Sequence, residues 1–228
     1  MKKITLCFAS SNPGKYSEFL KILRAYTYPE YIKFFTENEI KVEHCPVPVD
    51  VDENSPTIEG NATLKMFAAC DIVKCNSDEF TVIFGEDTAF YVRALNNEPG
   101  IMAKRWGGEF PSQKLISAMD GISDRYAYYA CSIAYRIPQL KEYQFENYKT
   151  ITEISHGMVS DEIRGKHGFG YDTVFIPDED NNKHLTNAEL KDESPDLPHG
   201  THRIKAISKM INSAFGEIVT EMKKFLDE

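Results

Sequence analysis

Glu86 and Asp87 are adjacent carboxylates placed after the apolar run Thr81-Val82-Ile83-Phe84, with Gly85 before them and Thr88 after. Neighbouring acids and a hydroxyl supply hard oxygens of the kind that hold magnesium, an ion that neutralises phosphate charge and helps activate water. A solvated acidic turn is the commoner fate of such a pair. The buried strand that leads into Gly85 argues instead for the ligand edge of a sheet. A second candidate is Ser10-Ser11-Asn12-Pro13-Gly14-Lys15, which follows an apolar run over residues 4–9. After it Tyr16, Phe19, Leu20 and Leu23 recur at helical spacing. Strand, tight polar loop and helix start aim backbone N–H groups and the helix dipole at one point, where Lys15 adds a full charge and an anion fits. Any strand-to-helix turn uses Asn, Pro and Gly, however, and the GxxxxGK[ST] phosphate-loop spacing is absent.

Two further groups carry chemistry. Gly168-Phe169-Gly170-Tyr171-Asp172 offers aromatic faces on a pliable backbone, able to stack a nucleobase, or else core residues of a turn entering a strand. His202-Arg203 opens a long amphipathic stretch and can bind a base or phosphate oxygen by charge-assisted hydrogen bonds, or sit exposed in a first helical turn.

The elements that must position these residues follow from the pattern of apolar positions. Buried strands are expected over 4–9, 81–84 and 174–176, weak strands over 32–35 and 40–42, and a continuation of the sheet over 89–92. Residues 46–54 read as an acidic, proline-containing loop. Ser55 is expected to cap a helix with Pro56 at its first position, running to about residue 74. That helix would bury Ile58, Ala62, Met66, Ala69 and Val73 and leave Asn61 and Lys65 one turn apart on a polar flank. Pro99-Gly100 reads as a turn ahead of the basic run Lys104-Arg105-Trp106, and residues 111–119 as a short helix closed by Gly121. The tyrosine-rich stretch 125–137 is a long strand whose antiparallel partner is 149–156, and 202–225 is a helix with Ile204, Ile207, Ile211, Ala214, Ile218 and Met222 on one stripe. A parallel core with an antiparallel extension makes the fold α/β or α+β.

With 228 residues the chain suits one large domain or two lobes sharing a core. A net charge of −9 argues against a general nucleic-acid or membrane-surface binder, so attraction for an anionic ligand must be local. The five cysteines show no C-x-x-C pair and no zinc spacing, which fits buried thiols in a reducing compartment. Met1-Lys2-Lys3 and the apolar run after it faintly imitate a secretory leader, but the run is too short, and no stretch has membrane-spanning length. The protein is expected to be cytoplasmic.

Taken in order, Ser10, Asn12 and Lys15, then Asn61-Ala62 with Lys65, Glu86-Asp87-Thr88, Pro99-Gly100 with Arg105-Trp106, Gly168 to Asp172, and Thr201-His202-Arg203 span nearly the whole chain. The set resembles the inosine/xanthosine triphosphate pyrophosphatase family. The resemblance implies an α/β fold, a mixed twisted central sheet flanked by helices with two lobes around a deep active-site cleft, forming a single domain over 1–228 and usually a homodimer. It implies hydrolysis of non-standard purine triphosphates (ITP, dITP, XTP) to the monophosphate and pyrophosphate, with Mg2+ as cofactor and neither nucleic acid nor membrane as partner.

By residue, the resemblance assigns Ser10, Ser11, Asn12, Pro13, Gly14 and Lys15 to the phosphates, with Asn61, Lys65 and Arg105 nearby. Asp87 becomes the metal-linked proton acceptor, Glu86 its neighbour in the metal site, and Thr88 a substrate contact. Phe169, Gly170, Tyr171 and Asp172 hold the base, and His202 and Arg203 read its oxygen edge. Two departures stand out. Many members place a metal-binding glutamate where this chain has Gly60; either Glu59 beside it shifts into the role, or the metal leans on Glu86 and Asp87. Many also carry a substrate-contacting lysine shortly before the Ser/Thr-His-Arg motif, where residues 194–200 hold none. A loop of that length can fold back and bring Lys191 to the substrate from a displaced position; the preferred expectation is that Arg203 alone supplies that positive charge and that Lys191 stays on a solvated surface. A related enzyme for pyrimidine or modified triphosphates and a non-catalytic nucleotide sensor are the alternatives.

Overall fold

Alternation of side chains along the central strands decides what each helix can cover. In the computed structural model the described residues are 3–25, 28–179 and 181–226; Met1 and Lys2 of the leader-like stretch lie outside them. Strands are β1 (Lys3–Ala9), β2 (Lys41–Val47), β3 (Phe80–Val92), β4 (Pro99–Gly100), β5 (Tyr126–Arg136), β6 (Lys149–Val159) and β7 (Phe175–Pro177). Helices are α1 (Pro13–Ala25), α2 (Pro29–Glu37), α3 (Ile58–Ile72), α4 (Ala103–Gly107), α5 (Pro111–Ala118), α6 (Asn187–Glu193) and α7 (Thr201–Leu226). The strands form one mixed sheet in the order β2-β1-β3-β5-β6-β7, with β4 paired to β3, so the fold is α/β. No helix among the described residues is long and apolar enough to cross a membrane. The chain divides into two units, residues 1–87, 132–151 and 206–228, and residues 88–131 and 152–205.

In the first unit β1 pairs in parallel with both β2 and β3. Phe8 and Phe84 stack at 4.8 Å on one face and meet Phe19 of α1 at 5.6 and 5.3 Å. The alternate residues Cys7, Ala9 and Ile83 pack with Ala62, Met66 and Ala69 of α3 on the other. Burying each large apolar side chain contributes about 1.5–3 kcal/mol, so these two layers hold α1 and α3 to opposite faces. The stretch 32–35, expected as a strand, lies instead in α2. Pro29 starts that helix, and Phe35 buries its ring edge-on against Phe215 of α7 at 5.1 Å.

The acidic pair is also placed differently from expectation. β3 does not stop at Gly85 but runs unbroken for 13 residues, so Glu86 and Asp87 are strand residues rather than a turn. The last registered pair between β1 and β3 is Ala9 with Gly85. Both acids therefore lie just past the end of β1, where the Ser10–Lys15 loop departs.

The second unit packs Phe90, Val92, Leu115, Met119, Tyr129, Val159, Tyr171, Val174 and Phe175 together. Phe90 stacks on Tyr171 at 4.8 Å, and Tyr129 meets Phe175 edge-on at 5.0 Å. Pro99 and Gly100, expected as a turn, form the short strand β4 against Tyr91 and Phe90.

A half-buried carboxylate ties α7 to the β5–β6 connection within the first unit. Glu217 accepts from Tyr143 at 2.6 Å, from Tyr135 at 2.9 Å and from Ser213 at 2.9 Å, and pairs with Lys149 at 2.9 Å. Burial pushes its pKa up, but these bonds outweigh it and hold the carboxyl below its ordinary value. A depressed carboxyl contributes stability above its unfolded pKa and loses it as pH falls through the folded one. Glu217→Gln is expected to cost about 1.5–3 kcal/mol in urea denaturation at pH 7, a difference that shrinks below about pH 4. A cost independent of pH would contradict this.

Candidate active site

The Ser10–Lys15 loop is shaped by its own side chains. Asn12 caps α1, its Oδ1 accepting from the N–H groups of Gly14 at 2.9 Å and Lys15 at 3.3 Å. Ser10 Oγ accepts from the Asn12 N–H at 3.1 Å, and the Ser11 hydroxyl donates to the Val49 carbonyl at 2.5 Å. These contacts revise the expected anion site. The Gly14 and Lys15 amides are already taken by Asn12 and Pro13 has none to give, so the loop's main cationic contribution is the Lys15 side chain. Its ammonium pairs with Glu86 at 3.1 Å.

Asp87 projects from the opposite face, as period-two alternation requires. Its Oδ1 lies 2.7 Å from Lys65 Nζ and its Oδ2 accepts from Asn61 Nδ2 at 3.3 Å. Asn61 and Lys65 are buried rather than on a polar flank. The reason is Gly85: a Cβ there would stand 2.3 Å from the Ala62 carbonyl oxygen and 2.9 Å from Lys65 Cβ. Its absence lets the α3 backbone close on β3 and carries both polar side chains onto Asp87. The Lys65 ammonium donates to Asp87 and, at 3.3 Å, to the Glu86 carbonyl, and forms an ion pair with Glu53 at 3.2 Å. Burial favours loss of its proton, but the pull of Asp87, with Glu53 and Glu86, wins and raises its pKa, so it stays charged.

The start of α3 differs from expectation in one respect. Thr57, not Ser55, is the cap, accepting from the Gly60 N–H at 3.1 Å. Ser55 instead accepts from the Thr57 N–H and donates its own N–H to Asn61 Oδ1. Glu53 was missed in the sequence because a loop acid ahead of a cap carries no periodic signal.

In the second unit Tyr171 is a core residue, its hydroxyl donating to the Ala103 carbonyl at 2.9 Å, whereas Phe169 is 39% exposed. Only one ring of the Gly168–Asp172 stretch therefore offers a face. Asp172 is buried and accepts from the Phe169 N–H at 2.9 Å, from Lys191 at 2.8 Å and from Asn187 at 3.4 Å. His202 and Arg203 are buried, not exposed. The His202 ring stacks on Tyr129 at 4.5 Å, and the Arg203 guanidinium donates to the Thr88 hydroxyl at 3.2 Å. Arg105 is exposed on α4.

Residues 6–213 match the family model described as the Ham1 family. The chain belongs to the Ham1 family. It is 30% identical over 213 residues to the dITP/XTP pyrophosphatase of Bacillus subtilis (strain 168), covering 90% of this chain and 96% of that protein. It is 30% identical over 218 residues to the dITP/XTP pyrophosphatase of Staphylococcus aureus (strain MRSA252), covering 91% and 95%. Among solved structures, the Staphylococcus aureus Ham1 protein aligns with a TM-score of 0.66 at 26% identity, over 93% of this chain and 99% of that one. The HAM1 protein from Coxiella burnetii shares the fold, with a TM-score of 0.62 at 23% identity, over 93% and 100%.

Within this Ham1 chain both departures acquire a structural setting. A side chain at Gly60 would begin 1.9 Å from Ser55 Oγ, so a glutamate there requires Ser55 to move. Among the described residues no three His, Cys, Asp or Glu side chains are gathered to hold a metal ion, so Glu59, Glu86 and Asp87 form no three-carboxylate cage. Lys191, expected on a solvated surface, is turned inward instead. Its side chain is 13% exposed, paired with Asp172 and 5.2 Å from the centre of the Phe169 ring.

The Lys65–Asp87 pair has a measurable signature. Lys65→Met strands a buried carboxylate and is expected to destabilise the protein by about 3–5 kcal/mol in chemical denaturation at pH 7. Adding Asp87→Asn should recover most of that loss. A single-variant cost below about 1 kcal/mol, or no recovery in the double variant, would contradict the geometry.

Proposed function

We propose that this chain is a nucleoside triphosphate pyrophosphatase, a hydrolase acting on acid anhydrides that cuts non-standard purine triphosphates such as ITP, dITP and XTP to the monophosphate and pyrophosphate. The observation that carries the proposal is Asp87, buried yet fixed by Lys65 and Asn61. A carboxylate accepts about four hydrogen bonds, so lone pairs are left for a water proton. The names of the relatives, dITP/XTP pyrophosphatase, support the substrate class.

In this scheme Asp87 takes a proton from water, the resulting hydroxide forms a bond to the α-phosphorus, and the bond from that phosphorus to the bridging oxygen breaks. The electron pair leaves with pyrophosphate. Lys15 gives up Glu86 for a phosphate oxygen, which frees the Glu86 carboxylate. Ser10 to Gly14, Asn61, Lys65 and Arg105 complete the assignment to the phosphates. Thr88, Phe169 to Asp172, His202 and Arg203 are assigned to the sugar and base. A magnesium ion, arriving with the nucleotide and held by Asp87 with Glu86 or Glu59, would supply neutralisation of phosphate charge. Residues 1–228 act as one catalytic domain, in a cytoplasmic homodimer.

Discrimination follows from donors that have no partner on the wrong base. A buried arginine that donates to the oxygen at purine position 6 meets an amino group in ATP and is left unsatisfied. The test is a turnover panel in which monophosphate, diphosphate, pyrophosphate and phosphate are measured separately. ITP should yield IMP and pyrophosphate, and Asp87→Asn should slow this by about two to four orders of magnitude with the fold retained. IDP and orthophosphate as primary products, or a fully active Asp87→Asn protein, would overturn the assignment.

A further inference from the structure

Phe169 carries two cations at one ring. Lys191 Nζ lies 5.2 Å from the ring centre and the Arg203 guanidinium 5.6 Å. The counter-charge is Asp172, whose side chain is 8% exposed. Its Oδ2 accepts from Lys191 Nζ at 2.8 Å and from the Phe169 N–H at 2.9 Å, and its Oδ1 from Asn187 Nδ2 at 3.4 Å. Lys191 is held in this arrangement by α6, whose start is fixed by a reciprocal cap. The Thr186 hydroxyl accepts from the Glu189 N–H, and the Glu189 carboxylate accepts from the Thr186 N–H. A seven-residue helix with a locked first turn thus delivers one lysine to the aromatic face.

We propose that Lys191 is a specificity-determining residue that selects the substituent at position 2 of the purine. This rests on the function proposed above, in which the base stacks at Phe169 and Arg203 reads the oxygen at position 6. The hydrogen-bonding edge of a purine carries one further substituent, at position 2, and Lys191 is the further cation at that ring. The substituent is an oxygen in xanthine, a hydrogen in hypoxanthine and an amino group in guanine. An ammonium group only donates and a carboxylate only accepts. With Asp172 engaged by Lys191, Asn187 and the Phe169 N–H, the group presented to position 2 is a donor. The xanthine oxygen gains a charge-assisted bond, hypoxanthine neither gains nor loses, and the guanine amino group meets a donor and stays unpaired. Removing Lys191 leaves Asp172 as the charged neighbour and reverses the sign. Guanine and hypoxanthine carry the same oxygen at position 6, so Arg203 alone cannot separate them. A donor aimed at position 2 can, and it does so by opposing the wrong partner as well as holding the right one.

The test compares kcat/KM for XTP, ITP and GTP in the wild-type chain and in Lys191→Met. XTP should fall roughly tenfold or more relative to ITP, and GTP should rise relative to ITP by a similar factor. Lys191→Arg retains a donor and should keep the wild-type order. The double variant Lys191→Met/Asp172→Asn, which leaves no buried carboxylate stranded, should still show the loss of XTP preference. Equal losses for all three nucleotides in Lys191→Met, or recovery of the XTP preference in the double variant, would overturn the inference and reduce Lys191 to a counter-ion. Wild-type protein that hydrolyses none of the three would overturn the proposed function and this inference together, whereas wild-type turnover with unchanged ratios in the variant overturns this inference alone.

Discussion

A strand can take two acids through a protein interior only if each finds a cation on its own side of the sheet. β3 meets that condition through alternation: Glu86 faces Lys15, which follows the β1 strand, and Asp87 faces Lys65 of α3. Desolvating a carboxylate costs several kcal/mol, and a contact of 2.7 Å to a buried ammonium with further hydrogen bonds is what offsets it. The arrangement depends in turn on Gly85, since any side chain there would push α3 away from the strand. One missing Cβ therefore sets the helix-to-strand distance, that distance buries Lys65, and Lys65 orients Asp87. The same contacts that permit burial hold a carboxylate with lone pairs to spare, so the stability of this region and the chemistry proposed for it have a single origin.

The second unit solves a different problem, holding polar groups at an aromatic edge without losing its core. Tyr171 fills the core and Phe169 does not, although they stand two residues apart, because Asp172 folds the backbone back onto the Phe169 N–H. Tyr129 stacks against His202, and burial followed by the nearby Asp172 pushes its phenol far above the ordinary value, so it stays neutral. Arg203 and Lys191 bring charge to the ring, with Asp172 as counter-ion to Lys191.

Much of this was legible from the residues alone. The apolar runs and the long stripe of α7 marked buried strands and a helix because burial imposes their periods directly. The motif residues around Asn61, Asp87, Phe169 and Arg203 could be picked out in order. What the sequence hid were consequences of tertiary pairing. Glu86 and Asp87 looked like a turn because acids rarely occupy a central strand, and nothing local announces the lysines that allow it. Residues 32–35 have a strand-like composition, yet Pro29 and the Phe35–Phe215 contact make them helical. Asn12 has the right type for phosphate contact and also the right type to cap its own helix, and its side chain caps α1. Lys191 looked solvated because its direction depends on the capped start of α6 and on Asp172, which lies 19 positions earlier in the chain.

In the proposed reaction a carboxylate-activated water attacks the α-phosphorus, and the fate of its oxygen tests this. Hydrolysis of ITP in water enriched in oxygen-18, followed by phosphorus NMR of the separated products, reads which phosphorus was attacked. Attack at the α-phosphorus puts the label in the monophosphate and none in the pyrophosphate. Label in the pyrophosphate would place the attack at the β-phosphorus and contradict it.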